Sequence, residues 1–186
     1  MFNIIKKLMM ARQINLEEGY VTILGQPVVI QPLTTWITLQ RKLEKTNSID
    51  VIYTTAKEAA TSWIMGLKKS NNMTTSQLVE WGVNTMSFAG WGRTEIVNYD
   101  QQNKRAILHI RDSTFAKAYG RSEDPVDHIM RGFLAGSGCV YFNDNVDCVE
   151  TKCISCGAGV CEFVVKRTSE FEDSALVKKQ LGLKKK

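Results

Sequence analysis

The sequence predicts an α+β fold, an antiparallel sheet of about four to six strands packed against a layer of helices. Two observations carry this. Segments rich in β-branched residues occur in pairs joined by short turn-forming stretches, the pattern of hairpins. Between the pairs lie segments with apolar residues at three- and four-residue steps, the pattern of helices that bury one face. The chain has 186 residues, 44% hydrophobic and 23% charged, with 13 Gly and only 3 Pro. That size and composition fit one compact domain with a core that needs no disulfide staples. We place the domain at residues 1–170 and a basic C-terminal tail at 171–186.

Phe2 to Ala11 carries Phe2, Ile5, Met9 and Met10 with Lys6 and Lys7 between them, a short amphipathic helix. Tyr20–Leu24 and Val28–Ile30, separated by Gly25, Gln26 and Pro27, read as a hairpin. Leu33 to Lys45 follows as a helix, with Thr34 or Thr35 available as its cap. The clearest stripe runs through Ile49, Ile52, Tyr53, Ala56, Ala60, Trp63, Ile64 and Leu67. Such a broad apolar face must meet a core. A further helix spans about Ser76 to Ala89, and Glu95–Tyr99 and Ala106–Ile110 form a second hairpin around a polar loop. Pro125 opens another amphipathic helix, through Val126, Ile129, Met130, Phe133 and Leu134, with caps offered by Ser122 to Asp124. Gly132, Ala135, Gly136 and Gly138 disfavour that helix intrinsically. Small residues so spaced let another backbone come close, from the sheet or from a second subunit. Val146–Lys152 and Cys161–Lys166 close the domain as a third hairpin.

No apolar stretch approaches the ~20 residues of a membrane helix. Lys6 and Lys7 interrupt the N-terminal apolar residues before they resemble a signal peptide, so a cytoplasmic protein is expected. The formal charge of +5 is concentrated at Lys178, Lys179, Lys184, Lys185 and Lys186. A solvated, frayed terminus explains those lysines more simply than contact with nucleic acid or anionic lipid, and no DNA-binding motif accompanies them.

All five cysteines fall between Cys139 and Cys161. An odd number in one short segment of an unexported chain favours metal or redox chemistry over a disulfide framework. Cys153 and Cys161 flank a turn containing Gly157 and Gly159, and a turn brings such residues within a few ångströms of each other. Zn²⁺ accepts thiolates and carboxylates in a tetrahedron, so Cys153, Cys161 and Glu150 are candidate ligands, with Cys156 in reserve. Cys139 and Cys148 read as small buried hydrophobes. An all-cysteine site of Cys148, Cys153, Cys156 and Cys161 lacks the paired two-residue spacing of common zinc modules, and a disulfide remains the other competitor.

The run Pro125-Val-Asp-His-Ile-Met-Arg-Gly-Phe-Leu-Ala-Gly136, followed by Val146-Asp-Cys-Val-Glu-Thr-Lys-Cys153 and Gly157-Ala-Gly-Val-Cys-Glu-Phe163, resembles the 4-vinyl reductase domain family. That family comprises archaeal stand-alone proteins, a bacteriochlorophyll-synthesis accessory protein and sensor modules for phenols and other aromatics. Its fold is similar to that of TRAPP vesicle-tethering small subunits and nitric-oxide sensors. The resemblance implies this ligand-binding fold and a zinc site in which Glu150, Cys153 and Cys161 match. Where the family has a cysteine before the Gly-Phe motif, this chain has Asp127 with His128 beside it, either of which can bind zinc.

Nothing in the sequence argues for reductase chemistry. No Gly-rich segment sits between a strand and a helix as a dinucleotide fingerprint requires, and His109 has no triad partner. Four protein ligands can close the metal shell, which favours a structural zinc. The expected function is therefore non-enzymatic binding of a small hydrophobic or aromatic molecule by a protein that forms a homodimer. Trp63, Trp91, Tyr119 and Phe133 are candidate pocket residues, since such pockets are apolar and aromatic. The alternatives are a dimeric scaffold similar to the vesicle-tethering subunits, and a tetrapyrrole-pathway accessory factor or reductase.

Overall fold

A computed structural model describes residues 14–23 and 25–181. The helix expected over Phe2–Ala11 and the terminal lysines 184–186 lie outside the described residues. The first elements are β1 (Ile14–Glu17), β2 (Tyr20–Ile23) and β3 (Gln26–Val28), a small antiparallel sheet in that order. The expected hairpin is present, but its second strand begins earlier and a third strand precedes it. Gly25, at φ 77°, provides the left-handed turn residue, and Val21 pairs with Val28. Val29 and Ile30 are left outside the pairing with about four-fifths of their surface exposed, 81% and 80%.

Helix α1 (Leu33–Lys45) has the expected bounds, with a correction at its start. Pro32 occupies the cap position and its carbonyl accepts from the Thr35 N–H at 3.0 Å, while neither threonine caps. Helix α2 (Asp50–Asn71) presents Ile52, Tyr53, Ala60, Ile64 and Leu67 to the core and ends at Asn72 in the left-handed region. Helix α3 (Thr75–Phe88) starts at a reciprocal capping box between Thr74 and Gln77, which satisfies two free backbone donors.

The main sheet contains β4 (Arg93–Asp100), β5 (Arg105–Arg111), β6 (Val146–Lys152) and β7 (Cys161–Arg167) in the order β4-β5-β7-β6, all antiparallel. The last strand thus lies inside the sheet and β6 forms an edge. Between the two hairpins come α4 (Thr114–Tyr119), capped by the Ser113 hydroxyl, and α5 (His128–Phe142). The latter begins three residues after Pro125, with Asp127 at its cap position, so Ser122 to Asp124 do not cap it.

The glycines of α5 explain its packing. A Cβ on Gly132 or Gly136 would collide with the carbonyl oxygen of Tyr53 or Lys57, respectively, on α2. The same atom on Gly138 would meet the Val146 and Val165 side chains of the sheet at 2.9 Å. The close backbone approach expected from the sequence is therefore made by a helix of the same chain, and α5 is wedged between α2 and the sheet. Leu108, Ile110, Phe115, Met130, Leu134, Cys148, Phe163 and Val165 fill this core.

Part of the segment read as a basic tail from residue 171 is ordered as a helix. Residues 175–181 form helix α6 (Ala175–Leu181), with Val177 and Gln180 buried. The Gln180 side-chain amide accepts from the Glu150 N–H at 2.9 Å and donates to the Glu150 carbonyl at 2.8 Å, covering the edge of β6 as another strand would.

Candidate functional site

The third hairpin and the start of α5 converge. Glu150 lies near the end of β6, where the register shifts between Glu150 and Lys152. Cys153 follows the strand and Cys161 opens β7. A 3₁₀ turn, Ile154–Cys156, and Gly157 at φ 91° fold the connection back. One ligand-type atom from each of Glu150, Cys153 and Cys161 lies within 4.8 Å of the other two, and all three residues are buried. Asp127 borders them. Its N–H donates to Glu150 Oε2 at 3.0 Å, and its Oδ2 accepts from Ser113 Oγ at 3.0 Å.

Four acidic groups crowded away from water cannot all lose their protons unless a cation joins them. Burial, aided by the charge of Cys153, pushes the Asp127 carboxyl up to about 7. Burial and the neighbouring Asp127 and Cys153 charges raise Glu150 well above the carboxylate range. The hydrogen bond from Cys161 lowers Cys153 to about 5 against the effect of burial, and the Cys161 thiol that donates it is correspondingly raised. Glu150 Oε1 and Asp127 Oδ1 are buried without a hydrogen-bond partner among the described residues. Two orphaned carboxylate oxygens beside two thiols make a donor set that fits a metal ion.

The other candidates lie differently. His128 turns aside: its Nδ1 accepts from Arg131 Nη2 at 2.8 Å, and burial with the Arg131 charge depresses its basicity to about 3. Cys156 is exposed, with its N–H donating to the Cys153 carbonyl at 3.1 Å. All five cysteines are free thiols, with Cys148 fully buried and Cys139 half-buried. Ser113, which orients Asp127, is a site residue the sequence reading misses; its signal was the cap position ahead of α4.

A cavity of about 640 Å³ opens between the β1–β3 sheet and the helices. All four tryptophans of the chain, Trp36, Trp63, Trp81 and Trp91, line it together with Phe115 and Phe133. Trp63 packs against Trp81 and Phe133 at centroid distances of 5.5 and 6.0 Å, each tilted. Trp81 Nε1 is buried and unpaired among the described residues, and the polar side chains among the lining residues are Gln31, Thr85 and Thr114. Trp63, Trp91 and Phe133 are therefore brought together, but Tyr119 is not among the lining residues. Its hydroxyl donates to Glu44 at 2.6 Å and its ring stacks on Phe115. A second, much smaller void of about 40 Å³ lies beside α5. Helix α4 connects the two features: Phe115 faces the cavity while Ser113, its cap, holds Asp127.

Residues 106–167 match the model of the 4-vinyl reductase domain family. No curated protein matches the chain in sequence. Among solved structures, the phenol-responsive sensory domain of the transcription activator PoxR with phenol superposes with a TM-score of 0.72. It is 15% identical, over 89% of this chain and 90% of that one. A vinyl-4-reductase family protein from Methanocaldococcus jannaschii gives 0.51 at 17% identity, over 75% and 83% of the two chains. A trafficking protein particle complex subunit 3 from Naegleria fowleri, covalently bound to palmitic acid, gives 0.56 at 12% identity, over 72% and 91%. At these identities the likeness is one of fold. The matched segment holds Asp127, Glu150, Cys153 and Cys161, and the chain accordingly carries a 4-vinyl reductase domain match within this shared α+β fold.

Proposed function

We propose that this protein is a non-enzymatic domain that binds a small hydrophobic, aromatic molecule in the tryptophan-lined cavity, in the cytoplasm, with a zinc ion securing its third hairpin. The cavity carries the reading. Its volume of about 640 Å³ falls within the ~300–1,000 Å³ range of small-molecule sites, and its wall is apolar and aromatic with few polar groups. Gln31, Thr85 and Thr114 in that wall give a ligand oxygen a few polar partners. The likeness in fold to a phenol-responsive sensory domain supports the same reading.

For the metal, the donors are Glu150, Cys153, Cys161 and Asp127. Zinc held by these four would neutralise the crowded acids and leave no open position, which is the character of a structural site. Ser113 fixes the Asp127 carboxylate, so the link through α4 gives the bound ligand a route to the hairpin.

Because every tryptophan lines the cavity, their emission reports occupancy directly. Titration with phenol and with palmitate should give a saturable change with at least one of them, weakened tenfold or more in Trp63→Ala. If neither probe gives saturation, the cavity reading is wrong. The exposed Val29 and Ile30 beside the cavity favour a second reading, a dimeric scaffold that covers this face. Sedimentation equilibrium separates the two: a scaffold shows a dimer that dissociates in Val29→Ser/Ile30→Ser, with no response to either probe.

A further inference from the structure

We propose that Cys153 and Cys156 form an oxidisable dithiol on which a hydroperoxide acts, and that closing it withdraws Cys153 from the buried acid–thiol cluster. The second half rests on the metal reading above; the first does not. The segment is Cys153-Ile-Ser-Cys156, wound into one 3₁₀ turn. The Cys156 N–H donates to the Cys153 carbonyl at 3.1 Å. A turn closed this way holds its first and fourth Cα atoms within about 7 Å, and a disulfide spans roughly 4.4–6.8 Å. The turn itself therefore keeps the two residues within reach of a disulfide.

Access gives the pair its direction. Cys153 and Cys161 are buried whereas Cys156 is exposed, so an oxidant in solution reaches the cluster through Cys156. Cys153 belongs to both groups: its ligand-type atom lies within 4.8 Å of that of Cys161, and its carbonyl closes the turn with Cys156. The chemistry balances in two steps. The Cys156 sulfur attacks one peroxide oxygen, the O–O bond breaks, and the leaving oxygen departs as an alcohol or water with the thiol proton, giving a sulfenic acid. The Cys153 sulfur then attacks the Cys156 sulfur. The S–S bond forms, the S–O bond breaks, and the hydroxyl leaves as water with the Cys153 proton. Two thiols lose two electrons and the peroxide gains them. Cys153 then has no thiolate to offer a metal.

The test treats the zinc-loaded full-length protein with one equivalent of hydrogen peroxide, maps the thiols by peptide mass spectrometry and follows zinc release with a chromogenic chelator. The expected result is a Cys153–Cys156 link, 2 Da lighter than the dithiol, appearing in step with metal release. Cys156→Ser should slow both at least tenfold and Cys139→Ser should slow neither. A link from Cys153 to Cys161 instead, a Cys156 oxidised without a link, or unchanged kinetics in Cys156→Ser overturns the proposal. Elemental analysis of the untreated protein showing under half an equivalent of zinc overturns the metal reading, while the peptide map still decides the dithiol.

Discussion

Asp147 shows how one side chain can hold two elements together. From the edge strand β6 it accepts from Tyr53 Oη at 2.7 Å and Lys57 Nζ at 2.6 Å, both on α2, and from Thr168 Oγ1 at 2.6 Å. Burial alone would raise this carboxyl, but the bonds from Lys57, Thr168 and Tyr53 outweigh it and hold it below the usual range. A depressed carboxyl contributes stability above its unfolded value of ~3.9, and that contribution is lost as pH falls through the lower folded value. Asp147→Asn should therefore cost about 3 kcal/mol at pH 7, since it leaves Lys57 partly buried without a counter-charge. The difference from the parent should shrink as pH falls below the usual carboxylate range; urea denaturation at pH 7 and at acid pH checks this. At this scale Glu150, Cys153 and Cys161 were legible in the sequence, because a turn with Gly157 and Gly159 forces its flanks together. The choice between Asp127 and His128 was not. Neighbouring positions at a helix start point in different directions, and only the placed backbone shows Asp127 toward Glu150 and His128 toward Arg131.

Between elements, the decisive contact is α2 against α5. Gly136 faces the Lys57 carbonyl, which belongs to the rigid backbone of another helix, whereas Gly138 faces the side-chain methyls of Val146 and Val165. Backbone cannot step aside as a methyl can, so Gly136→Ala should destabilise by about 3 kcal/mol or more and Gly138→Ala by less. Denaturant midpoints of the two variants test the order, and equal costs would contradict the packing. The small-residue pattern in α5 was visible in the sequence and pointed to the sheet or a second subunit; Gly138 does meet the sheet, but Gly132 and Gly136 meet α2. β1 and α6 were not visible. The first is four residues long, Ile-Asn-Leu-Glu, with three of them exposed. The second docks largely through the Gln180 amide on the edge of β6, and a hydrogen bond to backbone leaves no trace in hydropathy. Such elements exist because tertiary partners complete them, not because their own periodicity demands them.

For the whole molecule the acid–thiol cluster acts as a fastener, since it ties the cap of α5 to both strands of the third hairpin and, through Glu150, to α6. A metal that binds only the folded state at a thousandfold excess over its Kd adds about 4 kcal/mol. For a domain of this size that corresponds to a thermal midpoint higher by roughly 8–16 °C. Zinc-loaded protein should thus melt about 10 °C lower after exhaustive chelation, and Cys161→Ser should melt low with or without chelator; a melting point indifferent to chelation would remove the fastener. The sequence by itself determined the α+β class, the three hairpins, the long helices and the gathering of Glu150, Cys153 and Cys161 beside the last turn. Each of these is a local signal, written in periodicity, turn residues and spacing over a few positions. Only the tertiary structure decided that β7 lies inside the sheet, that Asp127 and not His128 borders the cluster, that four tryptophans far apart in the chain share one cavity, and that 175–181 is a docked helix. Those outcomes depend on which surfaces meet across long sequence separations, and such meetings are selected by the packing of the whole core rather than by any one segment.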